Sequence, residues 1–396
     1  MIKKTAVASA VSLLIAGNAL AANTYFDARN DAMGGVGVAS SMDNSALLAN
    51  PALIAKTNKL SLTIPSLGLQ LSDKNHLIDE FKKIKSKVDE YESNRHAHLM
   101  NAQQGAGELK SILEAVKDKN VNFNIGLSAS VIIPSETNKI GLFAKTHADA
   151  TVHTMVDEAD LRLLNLIQNG QVPAVDFEHN TDSELRGLAS WVTDYGVSVA
   201  RSFEVAGKPL HIGLSPKMQE IKIYNYAVGV NKFDRKDMKA SQYQSQHKKF
   251  NVDLGVAAEL SEQLTVGLVG KNLLRNKLET KAINDKSFTY ETSPLVTAGA
   301  SYRWERFTAA ADVDLTPIKA FSNQKGNQYA AVGAEWEALS WAKLRAGYRI
   351  DMKNSKPNMA TVGFGFHPGE KVKFDVTGMV GSKRNLGAAL QLSIAI

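Results

Sequence analysis

The side chains that could do chemistry here are nine histidines, 40 carboxylates and 46 lysines and arginines, with no cysteine among 396 residues. Their spacing assembles no reaction centre. His96 and His98 stand two residues apart, which places them on different faces of a helix. No HExxH, GxSxG, phosphate-loop or dinucleotide fingerprint occurs. The lack of cysteine removes disulfides, thiolate zinc sites, iron–sulfur clusters and cysteine nucleophiles. Asp312 and Asp314 share one strand face, but no nucleophile with a base can be nominated beside them. The expectation is a protein without catalysis, metal or cofactor.

The charged residues do share a place in a pattern. Asp253, Glu259, Asp312, Asp314, Glu335, Glu337 and Asp375, with Lys343, Arg345, Arg349 and Lys373, fall on the polar phase of segments whose other phase is apolar. Phe250, Val252, Leu254, Val256, Ala258 and Leu260 oppose Asn251, Asp253, Gly255, Ala257 and Glu259; Leu344, Ala346, Tyr348 and Ile350 oppose Lys343, Arg345, Gly347, Arg349 and Asp351. The last residues repeat the pattern, with Ala388, Leu390, Leu392, Ile394 and Ile396 against Gly387, Ala389, Gln391, Ser393 and Ala395. Period two with one unbroken greasy face means strand.

Fourteen such segments run from 59–71 to 386–396, most of them the length that a tilted strand needs to cross a bilayer. Long connections at 72–121, 151–191, 225–247, 274–293 and 316–327 alternate with short ones at 134–138, 205–208, 261–262 and 368–370. Tyr195, Phe203, Tyr302, Trp304, Trp336, Trp341, Phe364 and Phe366 lie near strand ends, at headgroup level. These features predict an all-β fold, a transmembrane antiparallel barrel of about 14 strands. A mean hydropathy of -0.18 resembles that of a soluble protein because a barrel's membrane face is hidden in the alternation. In that barrel the charges named above face the lumen. Their mixed signs suit an internal ion-pair lattice holding a plug better than a one-signed selective pore.

Lys3 and Lys4, the apolar run Ala6 to Ala16 and Ala19-Leu20-Ala21 read as an export signal over 1–21, with the mature chain starting near Ala22. Residues 22–58 form a small-residue segment ahead of the barrel, 59–396. In loop 72–121, Leu77, Ile78, Phe81, Ile84, Val88 and Tyr91 recur at helical spacing, as do Leu161, Leu163, Leu164, Leu166 and Ile167 in loop 151–191. Such helices fold over the barrel mouth and bury their own apolar faces or, through Phe81, Ile84, Leu161 and Leu164, offer a cleft to a greasy ligand or a surface to a partner. The net charge of +6 is modest, and the block Lys232 to Lys239 carries acids among its bases, so no nucleic-acid partner is expected.

Residues Ala28 to Ala55, ARNDAMGGVGVASSMDNSALLANPALIA, resemble the opening of FadL-type and PorV-type outer-membrane barrels. Met33, Gly34 and Gly35 match the AMGG stretch and Asn50, Pro51 and Ala52 the NPA motif, while Leu53 replaces the glycine usual after NPA. The YFDARNDAMGG opening is most similar to the plasmid transfer operon TraF-like family. The FadL resemblance implies that 22–58 is an inward plug and that the barrel passes a hydrophobic or small molecule. The PorV-like and TraF-like resemblances imply instead an assembly or docking component, linked to conjugal transfer and without transport. A secreted soluble all-β protein is the third reading. The partners implied are outer-membrane lipid, lipopolysaccharide, a hydrophobic ligand and an envelope or conjugation-machinery protein, at the outer membrane of a Gram-negative cell.

Overall fold

The computed structural model describes residues 25–73, 76–94, 99–177, 179–229, 241–353, 358–369, 371–382 and 384–396. The export signal, His96, His98 and the block 232–239 lie outside the described residues.

The alternating segments become β1 (Ser61–Ser72), β2 (Asn120–Ile133), β3 (Lys139–Met155), β4 (Glu184–Val205), β5 (Lys208–Gly229), β6 (Gln244–Glu259) and β7 (Leu264–Lys271). A short hairpin, β8 (Asn276–Glu279) and β9 (Thr289–Thr292), interrupts the series. It resumes as β10 (Leu295–Trp304), β11 (Phe307–Asp314), β12 (Tyr329–Leu339), β13 (Ala342–Asp351), β14 (Met359–Phe366), β15 (Val372–Gly381) and β16 (Asn385–Ala395). All but the hairpin form one closed antiparallel barrel of fourteen strands, each paired with its chain neighbour, β7 with β10, and β1 closing on β16. Closure satisfies every ladder without leaving an edge, the condition for crossing lipid in strands. The two phases separate as their chemistry requires. In β16, Leu386, Leu390, Leu392 and Ile394 are exposed outward and Gln391, Ser393 and Ala395 are buried inward. Trp336 stacks on Phe307 and Trp341 meets Phe366 edge-on at the short-turn end, with ring centroids 5.9 and 5.7 Å apart.

The wall is uneven in height. β4 and β5 have 22 residues each, whereas β7, β11 and β14 have 8. The sequence pattern placed β4 at 192–204; it starts at Glu184, because Met155, Glu184 and Gly229 still pair at the top of β3, β4 and β5. A ladder already formed continues where no turn residue stops it.

The helices of the two long loops, unlike those of the inward N-terminal segment, take a different place from that expected. Counting from the chain start, α1 (Ala28–Ala32) and α2 (Asp43–Ala49) lie inside the barrel. Three longer ones, α3 (Leu77–Asn94), α4 (Leu99–Val116) and α5 (Glu158–Gln168), pool their apolar faces in one cluster. Ile84, Leu161 and Leu164 are buried there, and Phe81 packs against them, so these four line no open cleft. The strand residues touching the cluster include Leu71, Phe123, Val152, Leu185 and Val228. All five belong to the outward phase, the phase of exposed Leu127, Leu142, Trp191 and Leu214. The helices therefore stand against the outer flank of the tall wall, not over the mouth, because the outward phase stays apolar above the bilayer and has to be covered by something other than lipid.

Candidate functional site: a plugged lumen under an apolar lid

The lumen is filled by residues 25–56. α1 is capped by Asp27, whose carboxylate accepts from the Asn30 N–H at 2.9 Å, and is followed by Gly34 and Gly35 at φ 80° and 93°. Only glycine takes that left-handed backbone without strain, so the chain can reverse beside the wall. Pro51–Lys56 forms a 3-10 turn capped by Asn50, whose Oδ1 accepts from the Ala52 N–H at 3.1 Å. Asn50 Nδ2 donates to the Val38 carbonyl at 2.8 Å and to that of Val256 on the wall at 3.2 Å. One motif residue thus ties the plug to itself and to β6.

Contact with the wall is at backbone distance. A Cβ added to Gly255 would lie 1.9 Å from Asn50 Oδ1, one on Gly213 2.3 Å from the Pro51 carbonyl carbon, and one on Gly347 2.1 Å from that of Met33. Gly68 and Gly126 likewise receive the Phe26 ring. Side chains at these positions would hold the plug away. Among the described residues, two cavities between plug and wall are about 110 Å³, at the short-turn end beside Arg29, Asp43 and Lys373, and about 30 Å³, beside Gly34, Lys271 and Arg349. Such spaces suit waters and are well below the size of a pocket for a drug-sized ligand.

The structure places all eleven sequence-nominated charges on the inward phase, and most bind each other or the plug. Arg29 forks onto Glu335 with two bonds of 3.1 Å, and Glu335 and Asp375 each meet Arg345 at 2.6 Å. Asp312 accepts from the Gly37 and Val38 N–H groups at 2.7 and 3.0 Å, and Asp314 from Thr297 and the Tyr329 N–H. Asp253 pairs with Lys217 at 2.8 Å, Glu259 with Lys56 at 2.6 Å, Lys343 with Glu337, and Lys373 with Asp43. Arg349 lies over the Tyr329 ring. Low dielectric inside the barrel makes such pairs strong only when complete, and here the plug completes several of them. Met33, Gly34, Gly35, Asn50, Pro51 and Ala52 all sit in the plug–wall contact.

Sequence reasoning missed Arg29, the neutral wall threonine Thr361, which donates to the Ala32 carbonyl and accepts from the Gly34 N–H, both at 2.9 Å, and the lid. The lid is the β8–β9 hairpin with residues 316–327. Leu278, Tyr290 and Phe321 enter the mouth and bury Leu188, Val192, Ile221 and Ile223 of the inward phase. Burial pushes the Tyr290 phenol up to about 12, so it stays neutral. Arg186 and Asn225 hold the hairpin tip through the carbonyls of Ile283, Lys281 and Lys286 at 2.8–3.1 Å. Among the described residues no group of three His, Asp or Glu side chains could hold a metal ion.

Residues 47–314, from the plug through β11, match the family model described as F plasmid transfer operon, TraF, protein. The chain belongs to that family. No curated protein matches it in sequence. Among solved structures this TraF-family chain is similar to the TodX deltaS2S3 mutant monoaromatic hydrocarbon channel, at TM-score 0.54 and 11% identity over 94% of this chain and 98% of the other. The Ralstonia pickettii toluene transporter TbuX gives TM-score 0.54 and 12% identity, covering 94% and 98%. A Pseudomonas aeruginosa FadL homologue gives 0.51 and 10%, covering 96% and 99%. Likeness at this identity shows a shared FadL-like plugged barrel.

Proposed function

We propose that this TraF-family barrel is a FadL-like channel of the Gram-negative outer membrane for a hydrophobic or small molecule, with residues 25–56 as its movable gate. The observation that carries the proposal is the apolar lid: Leu278, Tyr290 and Phe321 close the mouth with a buried apolar cluster directly above a plugged lumen, the kind of cover that an apolar molecule could part. The similar solved structures named as hydrocarbon and toluene channels have the same architecture, and none is named as an enzyme. The partners on this reading are bilayer lipid and an apolar ligand. The test is uptake of labelled toluene, octanoate and octanamide by Gram-negative cells that express the full chain. Entry several-fold faster than in cells without it supports the channel, and equal rates overturn it.

The plug's seal favours a second reading. Glycines at backbone distance and an interlocked ion-pair lattice suit a closed barrel that docks another envelope protein, in keeping with a transfer-operon family. Plasmid transfer frequency with and without the gene, alongside unchanged uptake, would support it.

A further inference from the structure

We propose that the lumen between plug and lid binds an uncharged amphiphile headed by a carboxamide, so that the cargo is not a bare hydrocarbon; this rests on reading the barrel as a channel. Strand register aligns Gln70, Asn124 and Asp149 in one inward row across β1, β2 and β3, and Ser72, Asn122 and Thr151 in the row above, with Asn385 of β16 beside Ser72. Immediately below, Gly68 and Gly126 hold Phe26 of the plug, and above, Gln324 of the lid donates to Thr151 at 3.2 Å. The two rows therefore stand on the route past lid and plug.

Their hydrogen-bonding capacity is incomplete. Gln70 Nε2 donates to Asn385 Oδ1 at 3.0 Å, yet Gln70 Oε1, Ser72 Oγ, Asn124 Nδ2 and Asn385 Nδ2 have no partner although all four are buried. Charged groups elsewhere on the lumen wall are largely paired, as where Lys217 is shared by Asp194 and Asp253 at 3.4 and 2.8 Å. Those with an unmatched atom, Asp312, Arg345 and Arg349, lie against the plug and not in these rows, where all four unmatched atoms are on neutral side chains. An acceptor, a hydroxyl and two amide N–H donors are complementary to a carboxamide, which donates through its nitrogen and accepts through its oxygen. A hydrocarbon would leave all four groups desolvated and unmet, and a carboxylate would face Gln70 Oε1 and Asp149 with no proton to give. Leu188, in register with Thr151, and Ile221 and Ile223 would provide apolar wall for the tail once the lid side chains that cover them move aside.

The test is equilibrium dialysis of octanamide, octanoate and nonane against the full chain in lipid nanodiscs, with uptake by empty nanodiscs subtracted. Octanamide is expected to bind at least about tenfold more tightly than the other two, because unmet polar groups penalise an analogue that cannot bond them. Gln70→Leu and Asn124→Leu should each abolish that preference while nonane binding holds or rises, and Ser72→Ala, a smaller change to the fold, should reduce it. Nonane binding as tightly as octanamide, or Leu variants that keep the preference, overturns the proposal and leaves water as the occupant of these rows. Binding of none of the three probes overturns the channel reading as well.

Discussion

At the residue scale, the plug is held by groups that sequence inspection ranks low. Gly255 lacks a side chain because Asn50 Oδ1 occupies that space. Gly255→Ala should therefore displace the 3-10 turn and cost about 1–3 kcal/mol of plug docking. Planar-bilayer recordings should show new conductance, with the heat-dependent gel shift of a folded barrel retained. Arg29→Ala removes the fork onto Glu335, a pair buried on both sides. About 3 kcal/mol of docking should be lost, since Glu335 then keeps Arg345 but loses its plug partner. The double variant Arg29→Ala, Glu335→Gln should recover part of it, as a double-mutant cycle on conductance would show. The motif glycines and NPA were legible because they break the surrounding pattern. Thr361 was not legible, because an isolated threonine on an inward phase looks like any other polar wall residue.

At the scale of elements, period two located all fourteen wall strands, and period 3.6 located the outer helices. Neither period states what a face is buried against. Leu71, Phe123, Val152, Leu185 and Val228 continue the same apolar phase as the lipid-facing residues, yet they meet helices. The β8–β9 hairpin was illegible for another reason: two strands of four residues are too short to show a period. Replacing residues 276–292 with a short Gly-Ser turn should leave the barrel folded and expose Leu188, Val192, Ile221 and Ile223. Increased binding of an environment-sensitive apolar dye by purified protein would report this, and unchanged binding would count against the lid. In the outer helices, Leu164→Asp places a charge in the buried cluster. It should loosen α3–α5 to added protease without altering the gel shift, because the cluster stands outside the ladder.

For the molecule as a whole, closure through β1 and β16 predicts that membrane-fraction protein migrates differently in SDS before and after boiling, as a closed barrel does. A soluble protein without that shift would contradict the architecture. The barrel also has two flanks. The tall wall of β3 to β5, strands of 17 to 22 residues, carries helices outside and the lid inside, while β10 to β16 have only 8 to 11 residues each. A partner approaching from outside the cell therefore meets the protein on one side of its rim. The alternation of long and short loops made this end recognisable in the sequence; the concentration of cover on one flank depends on strand lengths that pairing, not composition, sets.

The first strand and the last meet at a joint that no covalent link spans, and the plug lies across it. Ser66 of β1 donates to the Phe26 carbonyl at 2.9 Å, while Gln391 of β16 accepts from the Ala28 N–H at 3.1 Å and from Ser66 at 3.2 Å. The opening residues of the chain thus clasp its closing strand to its initial one. The berth for Ala28 is shared by two strands, Thr377 of β15 donating to its carbonyl and Gln391 of β16 accepting from its N–H, so it is complete only when β16 is in place. A chain that zips shut without its N-terminal segment aboard would lack the rivet across its own seam.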